Sequence, residues 1–255
     1  MAAGGRYGRA ATMRIVFSRK GFDSAAGGAP SPIVDGVPVS LPIPAGAASR
    51  TSYADIGLGA LVESTSGGRI ARSDLCHHDP MFADGECLFG QCGAAQTHLS
   101  NRGVGVGDVF VFFGLFREEE TGEPHHRIFG WMEIAEVIAL ATAGAETLAG
   151  LQTLDHPHAI AMHGRNDVIY RGPGSTARAD HPDLRLTVPG GPPSLWRIPQ
   201  WLRETGLSYH DRADRWLRGP RLQSVARGQE FVADVGRKRP PREWFARVQD
   251  LIERT

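Results

Sequence analysis

Three things are scarce or missing in this 255-residue chain, and each absence excludes a class of protein. The chain has only three cysteines, Cys76, Cys87 and Cys92, which are too few for the disulfide framework of a small secreted protein. No apolar run approaches the roughly 18 residues of a membrane-spanning helix. The 28 basic and 28 acidic residues balance, so the chain lacks the polycationic coat of a protein that wraps nucleic acid.

Glycine and proline are abundant instead, with 32 and 17 residues, beside an ordinary globular share of hydrophobic (41%) and charged (22%) residues. This composition predicts a loop-rich domain with modest helix content. Residues 1–12 lack the apolar segment of a secretory signal. We therefore expect a disordered leader over 1–12, a single domain over 13–255 and a cytoplasmic location.

The clearest secondary-structure pattern is a β-hairpin. Residues 109–113 (VFVFF) are an apolar run, residues 118–124 are the exposed tip, and residues 128–138 return as the second strand. Strict alternation would place Phe129, Trp131 and Glu133 on one face of that strand. Such a hairpin is typical of PUA-like barrels. The prediction is an α+β domain with a central, mostly antiparallel sheet or PUA-like barrel.

Helices are expected to flank this sheet. Ser52 and Asp55 have the spacing of a capping box, which predicts a helix that stops by Gly67. Further helices are expected over residues 90–101, 194–205 and 241–254. The last of these has the strongest pattern, with prolines at its start and apolar residues at helical spacing.

One short motif among the ten histidines predicts a metal site. His77 and Asp79 flank a single residue, so in an extended loop both side chains point the same way. His98 lies on the following segment, and Asp23 ends the first predicted strand. Two histidines and a carboxylate that leave open positions suit non-haem iron(II) or a related divalent metal.

Other interpretations of this region stay open. Asp79-Pro80 starts a turn, so the motif also suits a polar loop that binds no ion. Zinc is the weaker metal alternative, because the Cys-x10-Cys-x4-Cys spacing lacks the close cysteine pairs of structural zinc sites. The chain has no P-loop, no dinucleotide-binding fingerprint and no Gly-x-Ser-x-Gly motif.

Motifs spread along residues 13 to about 250 resemble the third of the nucleotide-modification-associated domain families. In chain order the motifs are FSRKGFDS (17–24), GAPSPI (28–33), SLPIP (40–44), CHHDP (76–80), LFGQCGAAQTHL (88–99), GDVFVFFGLFR (107–117), IFGW (128–131), HPH (156–158), NDVIY (166–170), LSYH (207–210) and RGQEFV (227–232). This resemblance implies a link with nucleotide or DNA modification. In the family pattern the His-x-Asp-Pro motif continues with another Asp, where this chain has Met81.

Polar or titratable residues recur in these motifs, which indicates that the motifs form a functional site rather than a hydrophobic core. They are Asp23, His77, Asp79, His98, His156, His158 and His210. We therefore predict a metal-dependent enzyme, with iron(II) as the expected ion, that acts on a nucleotide, a nucleic-acid base or a related small polar substrate. His77, Asp79 and His98 are the first-choice ligands, and Asp23 and His158 are the second-choice ligands.

The remaining catalytic roles are assigned to four residues. Glu230 or His210 is the expected general base. Lys20 or Arg19 is expected to neutralise an anion on the substrate.

Two functions without catalysis remain as alternatives. A PUA-like reader of modified bases would present Trp131, Phe112 and Arg117 to nucleic acid. An accessory protein would instead bind a partner. Residues 201–255 hold 12 basic and 8 acidic side chains, a net charge of +4, so a nucleic-acid partner stays open.

Overall fold

The computed structural model describes residues 12–46, 48–117, 121–161, 163–225 and 230–254. The strands are β1 (Met13–Arg19), β2 (Ser31–Val34), β3 (Val37–Pro38), β4 (Met81–Ala83), β5 (Glu86–Gln91), β6 (Val109–Arg117), β7 (Pro124–Glu133), β8 (Glu136–Ala139), β9 (Val168–Thr176), β10 (Leu195–Arg197), β11 (Trp216–Leu217), β12 (Arg221–Gln223) and β13 (Glu230–Gly236). The α-helices are α1 (Gly59–Ser66), α2 (Gly93–Asn101), α3 (Ala145–Thr153), α4 (Pro157–Ile160), α5 (Gln200–Thr205) and α6 (Arg239–Arg254). Residues 1–11 of the predicted leader and residues 118–120 of the predicted hairpin tip lie outside the described residues.

Most strands join one mixed sheet in the order β13-β1-β6-β7-β9-β5-β4, with β2, β3 and β8 attached beside it. Strand β6 runs parallel to β1 and β2, and the other pairings in this sheet are antiparallel. Within the described residues the two ends of the sheet, β13 and β4, do not pair, so the sheet is open. The predicted α+β class is confirmed, and the sheet does not close into the barrel that was its alternative form.

Strand β6 is apolar along its length because both of its faces are covered. Val111 and Phe113 belong to a core that also contains Trp196, Leu222 and Phe245 from the small β10-β12-β11 sheet and from α6. Phe110 and Phe112 point to the opposite core, which extends to β5, β9 and α2. The large sheet is therefore a central layer between two hydrophobic cores.

The hairpin partner, β7, contains a bulge that the sequence pattern did not predict. Phe112 pairs with Gly130, whereas the next residue, Phe113, pairs with Ile128, so Phe129 is an extra residue in the ladder. The bulge separates the side chains that strict alternation would place together, because Phe129 enters one core and Trp131 the other. The predicted shared face of Phe129 and Trp131 is therefore wrong.

The predicted helices differ from the observed ones mainly at their first residues. Ser52 and Asp55 do exchange hydrogen bonds, but they close a turn, and α1 begins later, at Gly59. Helix α1 ends at Gly67, which has a left-handed conformation. None of the helices in the described part of the chain is long and apolar enough to cross a membrane.

Candidate metal centre

The Asp79 carboxylate lies at the centre of the polar cluster. The loop that carries it reaches over β5, where Gly90 N donates a hydrogen bond of 2.9 Å to Asp79 Oδ1. The Asp79 side chain is only 4% exposed. Burial raises the pKa of Asp79, but attraction to His77, His156 and His158 outweighs this effect and holds the pKa well below its usual range. Asp79 is therefore an ionised carboxylate surrounded by imidazole rings.

His158 is held in the orientation that a metal ligand needs. Its Nδ1 lies 2.5 Å from Asp167 Oδ1, and its Nε2 lies 3.8 Å from Asp79 Oδ2. Because the Asp167 carboxylate accepts a hydrogen bond from Nδ1–H, the proton of a neutral ring stays on Nδ1 and Nε2 is left with a lone pair on the side of Asp79. The backbone N–H groups of His163 and Gly164 donate to the other oxygen of Asp167 and so fix that carboxylate in turn.

His77 completes a group of three donor atoms around one point. Its Nε2 lies 3.6 Å from Asp79 Oδ2. One donor atom each from His77, Asp79 and His158 lies within 4.8 Å of the other two. These separations are too long for hydrogen bonds. The distances of 3.6 and 3.8 Å from Asp79 Oδ2 to His77 and His158 are slightly longer than the roughly 3–3.5 Å between neighbouring ligand atoms of an ion whose bonds are about 2.0–2.2 Å long.

A fourth histidine, His156, is fully buried beside the same carboxylate. Its Nε2 lies 3.7 Å from Asp79 Oδ1. Neither of its ring nitrogens has a hydrogen-bond partner among the described residues. Burial lowers the pKa of His156 to about 4, so the ring is neutral near neutral pH. A buried imidazole with no hydrogen-bond partner is costly in a protein interior, and an ion beside Asp79 would satisfy its Nε2.

The cysteines do not form a metal site with one another. Cys76 and Cys87 are buried in two different hydrophobic clusters. Cys92 alone approaches the histidines, where its thiol, His158 and Asp167 form a second set of donors within 4.8 Å of one another. Both oxygens of Asp167 already accept hydrogen bonds. The set of His77, Asp79 and His158 is therefore the better candidate.

A cleft of about 340 Å³, the site cleft, opens onto this cluster. Its wall contains the three donor residues together with Arg19, Lys20, Gln91, Cys92 and His163, and residues 43–46. Lys20 Nζ lies 3.0 Å from Glu230 Oε1 and 4.2 Å from the centre of the Phe89 ring. Glu230 Oε1 also accepts hydrogen bonds from Ser18 and Gln91. Glu230 is 1% exposed, so its buried carboxylate holds the Lys20 ammonium group at the wall of the cleft.

The remaining predicted ligands lie outside the two donor groups. His98 Nε2 lies 3.0 Å from Ser208 Oγ, and its ring packs on Tyr209. Asp23 Oδ1 accepts the backbone N–H groups of Ala25 and Ala26, so it closes a turn. Neither residue belongs to a group of donor atoms found within the described part of the chain.

His210, the second candidate base, has both ring nitrogens engaged. Its Nδ1 lies 2.8 Å from the carbonyl oxygen of Ser208, and its Nε2 accepts a hydrogen bond from Val225 N. His210 also lines a different cleft from the one that contains Asp79. This geometry is that of a residue that holds two loops together.

The aromatic side chains assigned to the base reader are buried. Trp131 is 6% exposed and packs edge-on against Phe245 of α6, and Phe112 is fully buried. Neither can stack on a base unless the core opens. Of that set, Arg117 is exposed at the end of β6.

Most of the chain matches one known protein family. The model of the family called nucleotide modification associated domain 3 matches residues 14–234. The chain belongs to this family. No curated protein and no solved structure gave a significant match.

Membership of the nucleotide modification associated domain 3 family links the chain to nucleotide modification. All members of the polar cluster lie inside the matched region. At the position after His-x-Asp-Pro, Met81 begins β4 and packs against a hydrophobic cluster that contains Leu88 and Ile138. The donor set described above therefore does not involve position 81.

Asp167 is the residue of this cluster that the assignment of ligands from the sequence missed. It lies in the NDVIY motif, nine residues after His158, at the start of β9. A signal was present, since Asp167 immediately precedes an apolar strand, where site residues often occur. Its role depends on the pairing of β9 with β5, which carries Gly90 toward Asp79.

Proposed function

We propose that the chain is a metal-dependent enzyme of nucleotide modification whose ion is bound by His77, Asp79 and His158. The observation that carries the proposal is the convergence of three donor atoms within 4.8 Å on the wall of a cleft. The contact of His158 with Asp167 supports it, because metal-binding histidines usually have a carboxylate behind them.

Iron(II) is the ion that this donor set favours. Two imidazoles and one carboxylate that leave open positions are typical of non-haem iron(II) sites. When bound, such an ion supplies Lewis-acid and redox chemistry beside the substrate. His156 is proposed as a further ligand or as the neutral partner that excludes water behind Asp79.

The protein groups around the ion would bind the substrate. Lys20 places a cation on the wall of the site cleft, so we assign it to an anionic group of the substrate. Glu230 is assigned as the residue that positions Lys20, because its carboxylate is buried beneath the ammonium group. This assignment differs from the general base expected from the sequence. Among small polar substrates, a nucleotide fits both the family and the cationic wall.

Metal content tests the proposal directly. The protein should be produced without a histidine tag, purified without chelator and measured by elemental mass spectrometry before and after anaerobic addition of iron(II). We expect close to one ion per chain in the parent. His77→Ala and Asp79→Ala should lose the ion with little change in the circular dichroism spectrum, because both residues lie on a loop and contribute little to either core.

His98→Ala is the matched control for this experiment. It removes a histidine that the sequence also predicts as a metal ligand but that lies outside the donor group in the structure. The control should keep the ion. A parent protein that binds no iron, zinc or manganese would contradict the proposal, as would equal loss of the ion in His98→Ala and His77→Ala.

A further inference from the structure

Asp79 and Gly21 form a boundary between two clefts. One is the site cleft, and the other, of about 300 Å³, is lined by the same two residues together with a different set of neighbours. Each cleft is at the lower end of the range of about 300–1,000 Å³ that is usual for small-molecule sites. A ligand that occupied both clefts would pass directly beside the Asp79 carboxylate.

The second cleft, which we name the base cleft, is mostly apolar. Its carbon-rich walls come from Pro38, Val39, Pro42, Leu58, Phe82 and Phe129. Ser40, His78 and Thr176 add a small number of polar groups. Apolar walls with a few polar groups are what a planar heterocycle needs, since they cover its faces and can bind its edge.

Phe82 is a preformed wall of the base cleft. Its ring is half-buried and contacts Phe112 edge-on, with 5.7 Å between the ring centres. Gly130 lies close beneath it, because a methyl group at Gly130 would be 3.2 Å from Phe82 Cζ. The ring is therefore held in place by the sheet before any ligand binds.

The two clefts differ in charge. The site cleft contains cationic side chains that suit a phosphate, and the base cleft contains none, which suits an uncharged base. The site cleft carries Arg19, Lys20 and the candidate metal ligands, and the base cleft has no lysine or arginine among its lining residues. We propose, on the basis of the function proposed above, that the paired clefts bind one free mononucleotide. Its base lies against Phe82, its sugar lies beside Asp79, and its phosphate lies near Lys20.

A free mononucleotide is favoured over a nucleic-acid strand by the charges of the described residues. The net charge of the chain is zero. Several arginines of the basic segment 201–255 are paired with acidic side chains, namely Arg212 with Asp214, Arg239 with Glu243, Arg247 with Asp183 and Arg254 with Asp250. Strand binding usually requires a row of unpaired cations.

Calorimetric titration of the full chain tests the inference. The probes are the four deoxynucleoside 5′-monophosphates, the corresponding nucleosides, deoxyribose 5-phosphate and a ten-residue oligothymidylate. We expect one monophosphate to bind more tightly than its nucleoside, deoxyribose 5-phosphate and the oligonucleotide. Phe82→Leu keeps an apolar side chain but removes the ring. It should weaken the monophosphate about tenfold and leave deoxyribose 5-phosphate unchanged.

Three further variants complete the design. Tyr209→Leu removes an exposed aromatic ring that lines neither cleft, so it should bind like the parent. Lys20→Gln should weaken both probes that carry a phosphate monoester. Val39→Phe fills the base cleft and should weaken the monophosphate and its nucleoside but not deoxyribose 5-phosphate. Thermal melting confirms that each variant is folded.

Three results would overturn the inference. The first is equal affinity for the monophosphate and deoxyribose 5-phosphate. The second is binding of the oligonucleotide alone. The third is an equal loss of affinity in Phe82→Leu and Tyr209→Leu. Metal content in the same preparations separates this inference from the proposed function. A protein that holds metal but binds the monophosphate no better than deoxyribose 5-phosphate refutes only the nucleotide site. A protein that prefers the monophosphate but holds no metal refutes only the metal-dependent enzyme.

Discussion

Gly90 lets two parts of the candidate site approach each other. Its N–H donates to Asp79, and the ring of His158 lies against its Cα. A methyl group at position 90 would be 2.2 Å from Cδ2 of His158, which is far inside contact distance. The ring cannot move aside freely because Asp167 holds its Nδ1. Glycine is therefore required here by the side chain opposite, since its backbone does not have a positive φ.

Gly90→Ala should weaken metal binding by at least about tenfold, because the displaced His158 ring no longer directs Nε2 toward Asp79. The measurement is an anaerobic titration with iron(II) or manganese(II), with circular dichroism as the check on folding. Gly150→Ala in α3 is the matched control, since a methyl group there meets no atom within 4 Å. Unchanged affinity in Gly90→Ala would show that His158 is not a ligand.

The parts of the site that follow from the sequence are those carried by one short segment. His77 and Asp79 are two residues apart, and the structure places their side chains 3.6 Å apart, as the extended loop predicts. His98 was assigned by proximity in sequence, but α2 directs it to Ser208 instead. Asp167 stands directly before an apolar strand, which marks it as a candidate, but its partner His158 is set by tertiary structure and does not follow from that local pattern.

At the scale of single elements, the bulge in β7 decides how the sheet packs. An extra residue at Phe129 rotates the following side chains, so Trp131 faces α6 together with Ile128. A bulge leaves no reliable mark in a sequence of apolar residues, because aromatic side chains are acceptable on either face of a doubly covered sheet. By contrast, α6 was predicted well, because one helix face stays in contact with a single core over its whole length.

Trp131→Ala should therefore cost about 3–5 kcal/mol in the free energy of unfolding, since it leaves a cavity between β7 and α6. Urea denaturation followed by circular dichroism measures this loss. Trp131→Phe should cost clearly less, because the smaller ring still contacts Phe245. A Trp131→Ala protein as stable as the parent would instead mean that Trp131 is available to a ligand, which would revive the base reader.

At the scale of the whole molecule, a histidine buried between the large sheet and Trp196 makes stability depend on pH. Burial lowers the pKa of His126 to about 3, and the positive charges of Arg19 and His125 act in the same direction. Its Nδ1 accepts a hydrogen bond of 3.0 Å from Trp196 Nε1, which requires a neutral ring. In the unfolded chain the same histidine takes up a proton near pH 6.5.

Because the unfolded state binds this proton and the folded state does not, His126 lowers stability as the pH falls from about 6.5 toward 3. The slope for one such group is about 1.4 kcal/mol per pH unit. His126→Gln should reduce the measured slope of unfolding free energy against pH by close to that amount between pH 6 and 4. His181→Gln, outside both cores, is the control and should keep the parent slope.

The order of strands in the large sheet is the part of the fold that no sequence pattern could predict. The hairpin of β6 and β7 joins neighbouring segments, so alternation and turn residues indicate it. The pairing of β1 with β13 joins segments more than 200 residues apart, as the hydrogen bond from Ser18 to Glu230, 212 positions later, shows. Such pairings between distant segments depend on how all the side chains of the two hydrophobic cores pack together.

The same pairing has a consequence for how the protein matures in the cell. At a synthesis rate of about 5–20 residues per second, β1 leaves the ribosome roughly 10–40 seconds before β13 exists. During that interval one edge of β1 lacks its partner strand, and Lys20 lacks the carboxylate that anchors it. The wall of the site cleft is therefore completed last. A nascent or prematurely terminated chain that lacks Glu230 cannot assemble this wall, so the cleft takes its final form only when translation is nearly finished.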